Sequence, residues 1–340
     1  MNSARRWSRS RSILFLMVLG GVSVCLLSYT FPEDPPMLIN LSSTPPCYVP
    51  VADPEPYGDF PSLTIPMKRA GRLLLIEAVI DGVQGNLVFD TGATGLVLNR
   101  TYFRKHTISE SIYSSGITGT ANTFGATTVE KVEISDLYYK DIKADVADLS
   151  HIENLRGIKV IGLLGFNMIR KFEAVIDIDN NELQLHRVDR SGERLLKADP
   201  GDSYPYIQKI DPWHPVLIVK GKIGGKLLSF CLDTGAEINA INSNSHKNVL
   251  ATLTITRRTD LRGVGQASQE VLFGIMNDFT LGDVPVQQME TIVTNLNGLR
   301  DVYNVQIDGM LGFDFLQRGV VMINLAKRQF GVRFNQRSES

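Results

Sequence analysis

The sequence predicts an all-β protein whose folded body is two copies of one unit, arranged as two pseudo-symmetric β-barrel lobes in one chain. Three observations predict it. From about residue 61 onward, short apolar runs rich in Val and Ile alternate with Gly and Asn turns, and no long stretch has helical period. Leu87-Val88-Phe89-Asp90-Thr91-Gly92-Ala93 is matched by Phe230-Cys231-Leu232-Asp233-Thr234-Gly235-Ala236, 143 residues later. Gly162-Leu163-Leu164-Gly165-Phe166-Asn167 is matched by Gly309-Met310-Leu311-Gly312-Phe313-Asp314 at an offset of 147. Val175-Ile176-Asp177-Ile178 aligns with Met322-Ile323-Asn324-Leu325 at that same offset. Two repeats are too few for a solenoid and suit paired lobes facing a shared interface.

Taken in order, residues 1–30 are a membrane-directed segment. Arg5, Arg6, Arg9 and Arg11 precede an uncharged run from Ile13 to Tyr29, and Glu33 and Asp34 follow it. This asymmetry keeps the basic side in the cytoplasm and exports the rest. The run lies near the short limit of roughly 17–25 residues for a span. No small-x-small cleavage site follows, so an uncleaved anchor is preferred to a cleaved signal peptide. A lipoprotein reading would use Cys25, but Val24 before it is bulky for such a site. Residues 31–60 are a stiff spacer, because 10 of the 15 prolines fall between Pro32 and Pro66. A pro-segment over the active site is the rival reading. Residues 61–190 form the first lobe, 191–204 a polar linker and 205–336 the second lobe. Within the first lobe, Asp81-Gly82 marks a hairpin turn between two apolar strands. Short helices are expected after Gly165 and Gly312.

Composition excludes several functions. The chain of 340 residues is 43% hydrophobic and 21% charged, with a formal net charge of −1, so no basic excess recruits nucleic acid. Cys25, Cys47 and Cys231 share no metal-ligand spacing, and neither do the five histidines. No serine sits in a nucleophile elbow and no Gly-rich phosphate loop is present. No metal or cofactor is expected.

The chemistry is concentrated in the two Asp-Thr-Gly-Ala turns. In each, three mostly apolar residues end a buried strand and deliver an Asp. Gly permits a tight turn whose N–H groups point at the carboxylate. Thr supplies a hydroxyl for backbone across a close interface, and Ala leaves little bulk beside the acid. One such turn is ordinary; two copies, each trailed by a Leu-Gly-Phe, are not a chance product. A two-fold pair of these loops brings Asp90 and Asp233 together. Two close carboxylates cannot both ionise cheaply, so they share one proton near working pH. One is then a general base for water and the other a general acid on a carbonyl, which is chemistry for direct water attack on an amide.

Across residues 62–334 the repeats resemble the retropepsin-like aspartic protease family, in particular its exported bacterial single-chain members with Asp-Thr-Gly-Ala motifs. The resemblance implies that Asp90 and Asp233 are the catalytic dyad and that Thr91 and Thr234 interlock the loops. Gly92, Ala93, Gly235 and Ala236 complete them. Leu163-Leu164-Gly165 and Met310-Leu311-Gly312 thread behind each loop as a ψ-shaped support. It also implies β-hairpin flaps over the cleft, matched here by Gly116–Gly119 and Gly263–Gln266, with Gly119, Gly263 and Gly265 as candidate tips. A static hairpin is the rival for these. Tyr113 is too far from the glycines to serve as a flap tyrosine. Pepsin-type turns often carry a hydroxyl where Ala93 and Ala236 stand, and a missing donor raises the dyad's pKa values, so a pH optimum less acidic than pepsin's is expected. Glu237 is a candidate substrate contact, with a solvated turn residue as the alternative. The partner implied is an extended protein or peptide substrate. Retroviral relatives assemble the site from two identical chains; here both halves lie in one chain, which implies a monomeric active unit. A catalytically silent peptide-binding protein on the same fold is the alternative function. A paired-carboxylate glycosidase would not need twin turns on a repeated unit.

Overall fold

The computed structural model describes residues 53–106, 123–197, 202–262, 268–286 and 288–335, and, near the N-terminus, two paired two-residue strands, Val18–Leu19 and Val22–Ser23. The rest of the apolar run Ile13–Tyr29 lies outside the described residues, as does most of the Pro-rich stretch. No helix among the described residues is long and apolar enough to cross a membrane.

Each lobe is built on a barrel-like sheet. The first begins with the antiparallel hairpin Leu73–Ile80 and Val83–Phe89. Asp81 and Gly82 both have positive φ, 46° and 79°, as a two-residue primed turn requires. The strands Leu96–Asn99, Thr123–Ile134, Leu137–Ala147 and Val160–Leu164 extend the sheet, and Leu73–Ile80 also pairs with Thr123–Ile134, which curls the sheet towards closure. The second lobe repeats the plan. Ile218–Ile223 and Lys226–Leu232 form its opening hairpin, turned by Gly224 and Gly225. Asn239–Asn242, Leu253–Arg262, Ser268–Met276, Met289–Thr294 and Gly309–Leu311 follow in its sheet. A seven-residue helix precedes the last barrel strand in each lobe, Ser150–Arg156 in the first and Asn297–Tyr303 in the second. One helical turn follows each Leu-Gly: Phe166–Met168 is a 3-10 turn and Phe313–Leu316 an α-helix.

A third sheet of six strands joins the lobes. At its centre Phe172–Asp177 of the first lobe pairs antiparallel with Gly319–Asn324 of the second. Val175 is the register partner of Met322, its own equivalent in the repeat. Equivalent residues face each other only where a two-fold axis passes, so the pseudo-symmetry axis runs through this pair. Outward from the centre lie Glu182–Arg187 and Ser62–Pro66 on one side, and Gln329–Phe334 and Tyr206–Lys209 on the other. The strands Phe172–Asp177 and Gly319–Asn324 are buried along their whole length, including the polar Glu173, Asp177 and Asn324 among their apolar residues.

The end of the Pro-rich stretch is pinned to the first lobe. Asp53 pairs with Arg170 at 3.1 Å and Glu55 with Lys171. Tyr57 stacks on Tyr138 with centroids 5.4 Å apart, and Phe60 packs on Phe172. None of these contacts involves the two Asp-Thr-Gly loops.

Candidate active site

The strands Val83–Phe89 and Lys226–Leu232 end at Asp90 and Asp233, and both aspartates are fully buried at the lobe interface. Behind each loop runs the apolar-apolar-Gly strand. Leu164 pairs in parallel with Phe89, and Asp90 N–H donates to Leu164 O at 3.0 Å. Leu311 pairs in parallel with Leu232, and Asp233 N–H donates to Leu311 O at 2.9 Å. The chain then returns to each loop through Phe166 N–H to Ala93 O, 2.7 Å, and Phe313 N–H to Ala236 O, 2.8 Å. Gly165 and Gly312 both have extended backbone. They are glycine because of close approach: a Cβ on Gly165 would lie 2.2 Å from Gly95 O, and one on Gly312 would lie 2.5 Å from Ala236 O.

The threonines cross-link the loops in a closed set of four buried hydrogen bonds. Thr91 N–H donates to Thr234 Oγ1 and Thr234 N–H to Thr91 Oγ1, both at 3.0 Å. Thr91 Oγ1 donates to Leu232 O at 2.8 Å and Thr234 Oγ1 to Phe89 O at 2.7 Å. Each hydroxyl thus accepts once and donates once, so neither lobe can shift along the interface without breaking all four.

Gly92 and Gly235 hold a different role from the one read in the sequence. Neither has positive φ, so conformational freedom is not what selects glycine there. A Cβ on Gly92 would lie 2.6 Å from Asp233 Cγ, and one on Gly235 would lie 2.7 Å from Asp90 Cγ. Each glycine is the seat of the opposite carboxylate, and the absence of a side chain lets the two acids meet.

The loop N–H groups do face the carboxylates. Asp90 Oδ1 accepts from Gly92 N at 2.9 Å and Ala93 N at 3.1 Å. Asp233 Oδ1 accepts from Gly235 N at 2.8 Å. Burial pushes the Asp233 carboxyl well above the usual carboxylate range. The negative charge of Asp90 and a hydrogen bond with it add to the rise, and the N–H groups of Gly235 and Ala236 oppose it. This has a consequence for stability. Below the ordinary value of 3.8, folded and unfolded chains are both protonated and nothing is lost. As pH rises past that value the unfolded chain releases the proton while the folded chain keeps it, so stability drains until the folded group titrates. Asp233→Asn has no such proton. By calorimetry it is expected to melt about 3 °C higher than wild type above roughly pH 4, with the two curves merging below that. A variant that melts lower at every pH would contradict this account of the pair.

Glu237, the candidate substrate contact, is buried, and its carboxylate pairs with Arg156 at the C-terminus of the first-lobe helix. Arg72 Nη1 also reaches Glu237 O at 3.2 Å. The flap candidates Gly119, Gly263 and Gly265 lie outside the described residues. One residue beside the dyad escaped the sequence reading. Tyr303, the last residue of the second-lobe helix, is buried and donates its phenol to Gly92 O across the interface at 2.8 Å. Among the described residues no cluster of His, Cys, Asp and Glu could hold a metal ion.

A sequence model described as aspartyl protease matches residues 76–168 and 219–315, one match per lobe and together more than half of the chain. The chain belongs to the aspartyl protease family. Each matched segment spans one Asp-Thr-Gly loop and its supporting Leu-Gly strand, so the retropepsin-like family assignment covers both lobes. Among solved structures the chain is similar to a retropepsin-like aspartic protease from Rickettsia conorii, at 21% identity and a TM-score of 0.27. That match covers 41% of this chain and 98% of the other. It is also similar to an aspartic proteinase from Irpex lacteus, at 13% identity and a TM-score of 0.46, covering 81% and 98%. No curated protein matches the chain.

Proposed function

We propose that this aspartyl protease family member is an active endopeptidase that hydrolyses peptide bonds with Asp90 and Asp233. The observation that carries the reading is the pair of buried carboxylates, each seated on the opposite lobe's glycine and locked by the threonine cross-link. A pair that shares one proton can act at both ends of an amide hydrolysis. The ionised aspartate takes a proton from water as the water oxygen bonds to the scissile carbon. The protonated one gives its proton to the carbonyl oxygen. Proton return to the amide nitrogen then breaks the C–N bond, and no covalent intermediate is needed. The substrate binds as an extended peptide between the lobes, and Glu237, four residues beyond Asp233, is the candidate contact to its backbone. One chain supplies both aspartates, so the active unit is a monomer. The body acts outside the cytoplasm, tethered by Ile13–Tyr29; the support is the basic-before, acidic-after charge pattern. The raised Asp233 carboxyl supports an optimum less acidic than pepsin's.

The test is digestion of a diverse peptide mixture by the full-length chain from about pH 3 to about pH 8, with products read by mass spectrometry. Cuts internal to peptides, with a maximum well above pepsin's acid range, are the expected result. A folded protein that binds peptides and cuts none at any pH would replace this reading with a silent binding protein.

A further inference from the structure

The two seven-residue helices end on residues related by the repeat. Arg156 closes Ser150–Arg156 and Tyr303 closes Asn297–Tyr303, 147 positions apart, the offset that also relates Gly165 to Gly312. Both side chains cross the lobe interface to the opposite dyad loop, but they do different things there. Arg156 passes to the Glu237 side chain, beyond the turn. Tyr303 stops at the turn itself, on the carbonyl of Gly92.

That carbonyl belongs to the Gly92–Ala93 peptide, whose N–H is one of the two donors to Asp90 Oδ1. A single line of polar groups therefore runs from the phenol O–H to Gly92 C=O, through the peptide to Ala93 N–H, and on to the Asp90 carboxylate. A hydrogen bond received at the carbonyl polarises the peptide and strengthens the donation from its N–H. Stronger donation favours the ionised acceptor. Asp233 likewise accepts from Gly235 N–H, with Ala236 N–H also acting on it, but Arg156, the equivalent of Tyr303, goes to the Glu237 side chain and not to the Gly235–Ala236 peptide. The near-symmetric pair is thus tilted at one point.

We infer that Tyr303 is a positioning residue that assigns the roles within the dyad: acting through the Gly92–Ala93 peptide, it holds Asp90 as the ionised base and leaves the shared proton on Asp233. The titratable groups acting around it are Asp90, Asp233, Cys231 on the strand Lys226–Leu232, and the phenol itself. Glu237 next to the loop is offset by Arg156 and Arg72. The Cys231 thiol and the Tyr303 phenol are both pushed up by burial and by the aspartates, so neither carries charge in the acid to neutral range where the pair titrates.

The inference rests on the peptidase reading, so its test has one arm that needs no catalysis. In full-length protein labelled at aspartate Cγ with carbon-13, the two dyad resonances are assigned by their loss in Asp90→Asn and Asp233→Asn and followed with pH. Asp90 is expected to lose its proton first. In Tyr303→Phe, which keeps the ring and removes the hydroxyl, the Asp90 titration is expected to move up by at least about half a pH unit. The acid limb of kcat/KM should move with it, with kcat lower and KM within about twofold, because the change acts on the acid–base pair and not on substrate contacts. If Asp233 ionises first, or Asp90 titrates unchanged in Tyr303→Phe, the inference is overturned. Absence of any cleavage by wild type would sink the peptidase reading alone and leave the resonance arm to decide. If Tyr303→Phe does not fold, 3-fluorotyrosine at position 303 donates more strongly and should move the Asp90 titration down; no movement overturns the inference.

Discussion

Asparagine at position 90 or 233 is expected to lower kcat for peptide cleavage by about 10³-fold or more, consistent with the worth of a positioned acid or base. On the proposed mechanism the two aspartates act as one unit through a shared proton, so the double variant should be hardly worse than either single one. Steady-state rates on one peptide from the digestion experiment, for both single variants and the double, measure this. The loops should survive the change. Asn keeps an oxygen for the Gly92 and Ala93, or Gly235, N–H groups, and the threonine cross-link does not touch the carboxylates. A folded single variant within tenfold of wild type would remove that aspartate from the mechanism. Additive losses would mean that the two act independently.

The largest stability effect is expected far from the dyad, at Arg194. Its guanidinium donates to Glu173 at 2.5 Å and to Asp202 at 2.6 Å. Glu173 also accepts from Asn324 Nδ2 at 2.7 Å, and Asn324 donates to Gly192 O at 2.9 Å. Glu173 and Asn324 are register partners in the central pair of the joining sheet. The network therefore ties the linker to both lobes at once. The side chains of Arg194 and Glu173 are each only 8% exposed, so this is a buried pair. Arg194→Ala leaves the Glu173 carboxylate buried without its countercharge and is expected to cost about 3–5 kcal/mol in urea unfolding at neutral pH. Arg194→Lys should recover only part of it, since an ammonium cannot fork to two carboxylates. A loss below about 1 kcal/mol at neutral pH would show that the pair is no stronger than an exposed one.

The repeat was legible because it is written in local sequence. Asp-Thr-Gly-Ala and Leu-Gly-Phe each occupy a few adjacent positions, and their offsets place them on equal units. The pairing of Val175 with Met322 follows from the same alignment once a two-fold axis is assumed. What stayed hidden depends on contacts between residues far apart in the chain. The reason for Gly92 is the Asp233 carboxyl, 141 positions away, and the partner of Glu237 is Arg156, on a helix of the other lobe. Tyr303 ends a short helix with no motif of its own; only its relation to Arg156 by the 147-residue offset marks it. The flap candidates lie outside the described residues, and so does the N-terminal run apart from the paired strands Val18–Leu19 and Val22–Ser23.

The central pair of the joining sheet has a consequence for any half of this chain. Residue 173 faces the equivalent of 177, residue 174 that of 176, and 175 its own equivalent. Such a register is self-complementary: a strand that pairs this way with its repeat can pair the same way with itself. A fragment ending before residue 205 would lose the Gly319–Asn324 strand and present Phe172–Asp177, fully buried in the whole chain, as an open edge. Open edges recruit other strands. The backbone register would admit Phe172–Asp177 of a second copy, with Val175 against Val175, but it would set Glu173 against Asp177 at both ends, where the whole chain sets Glu173 against Asn324; facing like charges oppose that homodimer, so the second lobe's asparagine favours the pairing of unlike halves.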